Sequence, residues 1–152
     1  PLALLMAALL PSVLAQRFVD ALVADPPGFT QARVLAEVYG YTAGSLIHEG
    51  FAVSVPTTTP IGDRQRTSIG THVEDQVLVR WSFLLRPTDH WTDYKAALDA
   101  EQTLIAACMA ESTAMRTNTG IRFVSASREV HQTGEWVIGD LIFSALHVLS
   151  IS

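Results

Sequence analysis

The sequence predicts a two-layer α+β fold, with two main helices laid on a sheet and a long projecting loop or hairpin between strands. Three observations carry this. From Val73 to Leu85 apolar and polar residues alternate, the mark of a strand with one buried side. Pro87 stops that strand, and apolar residues from Trp91 to Met109 then recur at helical spacing. Finally, the run WVIGDLIFSALHVLSIS, Trp136 to Ser152, is the longest apolar stretch of the second half, as expected of a strand buried on both faces.

Each element can be justified in order. The opening PLALLMAALLPSVLAQRF has the apolar run and the small-residue end (Val13, Leu14, Ala15) of a secretory signal, but no positively charged start. It is too short to span a bilayer as a free helix, and the expectation is a retained packing helix. Pro11 then kinks the run or opens the main helix, with Ser12 near its first turn. Leu10, Val13, Leu14, Phe18 and Leu22, with Val19 alongside, form its core stripe, and Asp25, Pro26, Pro27 and Gly28 end it. Val34 to Tyr39 and Phe51 to Val55 read as short strands, the second closed by Pro56.

Residues 56–70, PTTTPIGDRQRTSIG, are polar and rich in turn formers. They read as a loop or arm with Thr58, Thr59, Asp63, Arg64 and Arg66 as candidate contacts, either exposed and mobile or ordered against a neighbouring subunit. The central strand then places Val73, Val77, Val79, Trp81, Phe83 and Leu85 on one face, opposite Glu74, Gln76, Arg80, Ser82 and Arg86. In the helix, Thr88 or Asp89 can cap, and Trp91, Tyr94, Leu98, Ile105, Cys108 and Met109 form the predicted stripe. Gly120 marks a turn, Ile121 to Val130 a strand with Ile121, Phe123 and Ser125 opposite Arg122, Val124 and Ala126, and HQTGE a tight connection. In the last strand, Trp136, Ile138 and Ile142 share a face, and Asp140 interrupts the apolar run. That pattern predicts a mid-sheet strand or one with a face at a subunit interface, Asp140 pairing with an arginine there.

Composition narrows the function. The 152 residues suit one domain over 1–152, and 49% hydrophobic residues can fill a core. Only 16% are charged, so apolar surface left for other subunits is expected. A net charge of −5, with Lys95 the only lysine, argues against binding to phosphate backbones. The single cysteine, Cys108, excludes an internal disulfide and reads as a packed small hydrophobe.

A search for chemistry finds none of the phosphate-cradling, nucleophile-elbow or zinc-helix motifs. His48, His72, His90, His131 and His147 fall on separate elements without the i, i+3 or i+4 spacing of a helical metal site. Asp89, Asp93 and Asp99 read as a solvated helix face. The expectation is therefore no enzyme, no catalytic or metal residues and no cofactor.

The acidic lead-in Glu74–Asp75 before VLVRWSFLL, the short step into DYKAALDAEQTLIAA and the closing GEWVIGDLIFSALHVLS together resemble the tail terminator, or tail completion, proteins of long-tailed bacteriophages and phage-like particles. These pieces cover about half of the chain. The resemblance implies helices on a mixed, largely antiparallel sheet, and a hexameric ring that caps the tail tube, stops its polymerisation and joins the tail to the head connector. The implied partners are further copies of the chain, the tail tube protein and a connector (stopper) protein, with genomic DNA passing the lumen without specific binding and no membrane. The implied place is the tail–head junction of a virion assembled in the host cytoplasm. Other neck proteins (stopper or adaptor) and an exported ligand-binding domain are the alternative readings. No motif of that family maps onto single positions, so the interface candidates Thr58, Thr59, Asp63, Arg64, Arg66, Trp136, Ile138, Asp140 and Ile142 come from the residue pattern alone.

Overall fold

The computed structural model of the protein describes residues 11–24, 29–40, 44–60, 66–67, 70–109, 120–131 and 134–149. In chain order these form α1 (Pro11–Ala24), β1 (Thr30–Gln31), α2 (Ala36–Tyr39), β2 (Gly50–Pro60), β3 (Arg66–Thr67), β4 (Gly70–Leu84), a 3₁₀ turn (Pro87–Asp89), α3 (His90–Cys108), β5 (Arg122–Val130) and β6 (Trp136–Leu149). The sheet order is β1-β2-β4-β6-β5, with β3 pairing the start of β4. Among the described residues only β1 and β2 run parallel and the other pairs are antiparallel, so the sheet is mixed and largely antiparallel, as expected.

β4 is the spine. It pairs with β2 on one side and, from Thr71 to Leu84, with β6 on the other. The predicted alternation holds: Val73, Val77, Val79, Trp81, Phe83 and Leu85 are all buried. Leu14, Phe18 and Leu22 of α1 and Ala97, Leu104, Ala107 and Cys108 of α3 pack on that face to complete the core. Asp75 is the exception on the apolar side, a buried carboxylate that accepts a hydrogen bond from the Thr58 hydroxyl. β6 lies mid-sheet, between β4 and β5.

Four expectations need correction. Val34–Tyr39 is not a strand. Glu37 turns its carboxylate back to accept the backbone N–H groups of Arg33 and Val34, which fixes the turn leading into the short helix, and Gly40 closes α2 in the left-handed region at φ 67°. The Arg33 backbone N–H, ahead of the other contacts, holds the Glu37 carboxyl below its usual range. Nor does Pro56 end its strand. β2 continues to Pro60, because the register with β4 slips between Ser54 and Thr57, and a proline without an N–H is tolerated where the ladder is already interrupted. Residues 56–60 of the expected arm are therefore strand, and 66–67 and 70 pair as well; 61–65 and 68–69 lie outside the described residues.

In α3 the buried face is Asp93, Ala97, Glu101, Leu104, Ala107 and Cys108, while Trp91 is 65% exposed and Met109 also faces outward. Apolarity misplaces this stripe because two of its inward residues are acids with arginine partners. The Arg86 guanidinium and backbone N–H both donate to Asp93, whereas Asp89, at the N-cap, makes no side-chain cap bond. In β5, finally, a bulge between Phe123 and Ser125 brings Ala126 onto the same side as Phe123.

The Asp93 pair sets a pH response. Hydrogen bonds from the Arg86 side chain, then its backbone N–H, hold this carboxyl down from 3.8 to about 2. A depressed folded-state pKa means the stabilisation is complete above the unfolded value and is lost as pH falls through the folded one. Thermal melts should therefore show wild-type Tm dropping more steeply than that of Asp93→Asn between about pH 4 and pH 2. Parallel curves would show that the pair contributes nothing. Cys108 behaves oppositely: burial pushes its thiol up to about 12, which makes it a packed, unreactive residue.

Candidate interaction surface

The helices α1 and α3 cover one face of the sheet, and among the described residues only α2 and the 44–49 segment reach over the other. Antiparallel register fixes who stands on this second face. Ser82, Arg80, Leu78, Gln76 and Glu74 of β4 line up with Ile138, Asp140, Ile142, Ser144 and Leu146 of β6. At the covered end, buried Ser82 donates to the Ile47 carbonyl. Beside it Arg80 grips Asp140 with two parallel bonds, Nε to Oδ1 at 2.7 Å and Nη2 to Oδ2 at 2.8 Å, and the Tyr39 ring lies 4.1 Å from the guanidinium carbon. A forked pair of this kind fixes orientation as well as charge. It floors a cleft of about 350 Å³ that Tyr39, Ser127, Glu129, His131 and Ile138 also line.

A second cleft of about 360 Å³ opens at the other end, lined by Thr57, Thr59, Glu74, Arg122, Val124, Ile142 and Ser144. Ser144 donates to Glu74 at 2.7 Å, and Arg122 stands 3.8 Å from the same carboxylate. Apolar surface is open here: Val124 is 51% exposed and Leu146, next along β6 on this face, 46%. The ion pairs and hydroxyls are engaged mainly with one another, an arrangement suited to recognition by shape and register.

The residues singled out from the sequence fall as follows. Trp136, Ile138, Asp140 and Ile142 share the second face with Thr59, so five candidates stand on one surface. Ile138 is buried and Trp136 and Ile142 are half-buried. Thr58 faces the helix side and is committed to Asp75. Arg66 sits in β3, with its side chain outside the described residues, as are Asp63 and Arg64. Sequence reasoning passed over Val124, which stands beside Arg122 on the face that alternation gives it, and Val34 and Leu35, which read as strand. Among the described residues no group of three His, Cys, Asp or Glu side chains is placed to hold a metal ion, and no helix is long and apolar enough to cross a membrane.

No protein-family model matches the chain, and no curated protein aligns with it. Two structures from Akkermansia muciniphila, one of them of a protein without its transmembrane region, match at 12% and 11% identity over 97% and 95% of this chain and 90% and 83% of theirs. Their TM-scores of 0.41 and 0.40 are too low to bear on the fold. A chain from the virion of a native gene transfer agent (GTA) particle matches over 86% of this chain and 91% of its own length, at 18% identity and a TM-score of 0.51, and shares the fold.

Proposed function

We propose that this chain is a structural subunit of a phage-like particle, a ring-forming tail terminator that caps the tail tube, stops its growth and joins it to the head connector. The observation that carries the reading is the fold shared, over most of both chains, with a component of a gene transfer agent virion. The sequence resemblance to tail terminators points the same way, and the long helix after the central strand favours that role over the small barrel expected of a stopper. A closed ring needs two different patches per subunit. The second sheet face, with Trp136, Ile138, Asp140 and Ile142, supplies one, and the arm at 56–70 belongs to the contacts with a neighbouring subunit or a docking protein. A net charge of −5 suits a lumen that DNA crosses without sticking. Mass photometry and negative-stain electron microscopy of the purified protein, alone and with tail tubes, should show rings that sit on tube ends. Monomers under every condition would overturn the reading.

A further inference from the structure

We propose that His48 is a pH-sensitive latch that holds the 44–49 segment, and with it α2, over the second face of the sheet. The latch stands where the β2–β4 ladder runs out. Gly50, the first residue of β2, is opposite Ser82, so the same register would set position 48 opposite Leu84. The main chain does not continue that way. Glu49 turns off in the left-handed region at φ 55°, the one non-glycine to do so among the described residues, and gives its carbonyl to Thr30 of β1. At that rung the His48 side chain takes over from the backbone. Its Nδ1 accepts the Leu84 backbone N–H at 3.1 Å, and its ring meets Phe83 edge-on at 4.5 Å.

This geometry fixes the proton. A ring nitrogen that accepts carries no hydrogen, so the imidazole is neutral with its proton on Nε2, which faces Glu49 Oε1 at 2.9 Å. A second proton leaves the Glu49 contact in place but sets an Nδ1–H against the Leu84 N–H, two donors with no acceptor between them. The charges around the ring act in both directions. Glu49, on the same segment, and Asp93 of α3, within electrostatic reach, favour uptake, whereas Arg86, clasped to that Asp93, opposes it. The imidazole is 44% exposed, so protons reach it without unfolding.

What the latch holds is a cap. Ile47 donates its N–H to the Glu37 carbonyl and Ser45 its hydroxyl to the Ala36 carbonyl, which joins 44–49 to α2, and α2 carries Tyr39 over the Arg80 guanidinium. Besides the latch, the Ser82–Ile47 bond and the Tyr39–Arg80 stack tie this cap to β4. Acid therefore loosens the cap over the Arg80–Asp140 cleft while leaving the core intact. The device is complete within one chain and does not depend on the ring reading.

NMR of the full chain, labelled with ¹⁵N, tests it. At about pH 7.5 the His48 ring should show an unprotonated Nδ1, and between about pH 7.5 and pH 5 the Leu84 amide should shift with the same midpoint as that ring. Over the same range, hydrogen exchange at the Leu84, Ile47 and Tyr39 amides, corrected for the chemical rate, should speed up about fivefold, while Leu141 in β6 stays unchanged. His48→Asn sets an amide oxygen where Nδ1 stands and cannot titrate, so its exchange should stay slow throughout. His48→Phe has no acceptor and should exchange fast at every pH; should it fail to fold, wild type against His48→Asn still decides. A Leu84 amide that ignores the His48 titration, or wild-type exchange as flat with pH as that of His48→Asn, would overturn the latch and leave the ring reading standing.

Discussion

Gly139→Ala is expected to cost about 3 kcal/mol or more, or to leave the chain unable to fold. Gly139 stands directly across from Trp81 in the β4–β6 ladder, and the indole lies flat over it. A Cβ built there would come within 2.2 Å of Cε2, 2.3 Å of Nε1 and 2.4 Å of Cζ2 of that ring. The ring has nowhere to go. Trp81 is fully buried, donates its Nε1 proton to Glu101, and meets Phe29 edge-on at 6.4 Å. Gly134→Ala provides the contrast. That glycine needs its freedom only for φ 77°, with nothing within 4 Å of its missing Cβ, so the cost should stay near the ~1–2 kcal/mol of a left-handed residue. Urea denaturation of the two variants separates the causes. Trp81→Phe should partly rescue Gly139→Ala by shrinking the ring. A Gly139→Ala protein within about 1 kcal/mol of wild type would mean that the sheet can shift to absorb a methyl group.

How far the sequence foretells such sites depends on whether their physics is local. The β4 face was legible because alternation records burial directly, and only Asp75 among its inward residues breaks the pattern. Pro87 following β4 was legible because proline acts on its own neighbours. Pro56 obeys the same local rule but lies where β2 and β4 slip register, and that depends on a strand some twenty residues away. The inward face of α3 was obscured by long-range pairing. Asp93 and Glu101 look like solvent residues until Arg86 and Arg128 are brought to them, while Trp91, the most hydrophobic guess, stands out in water. In the candidate surface, Asp140 interrupting an apolar run signalled an arginine partner. Naming Arg80 took the ladder register. Past Val124 the alternation fails, because one bulge in β5 carries Ala126 onto the side of Phe123 against the odd–even logic of the sequence.

Glu101 is the sharper case, since it is wholly buried and still carries three hydrogen bonds. One carboxylate oxygen accepts the Trp81 indole N–H at 3.2 Å, and the other accepts Arg128 Nε at 2.8 Å together with its Nη2. One side chain of α3 thus ties the central strand to the edge strand β5. Arg128 is a third exposed and can regain water when its partner is lost, but Glu101 cannot. The asymmetry predicts the order of effects. Arg128→Met, which strands a buried carboxylate, should cost about 3–5 kcal/mol; Glu101→Leu, which strands the indole N–H but leaves the guanidinium near solvent, should cost about 2–3 kcal/mol. The double variant should be more stable than Arg128→Met alone, because an apolar pair removes the uncompensated charge. Glu101→Gln keeps an acceptor for Trp81 and should fall nearest to wild type. A double-mutant cycle by denaturant titration measures the coupling, which should persist at 1 M salt because the pair is screened far less than a surface one. Equal costs for the two single variants would mean that water reaches Glu101 as readily as Arg128, and that the pair is no anchor between α3 and β5.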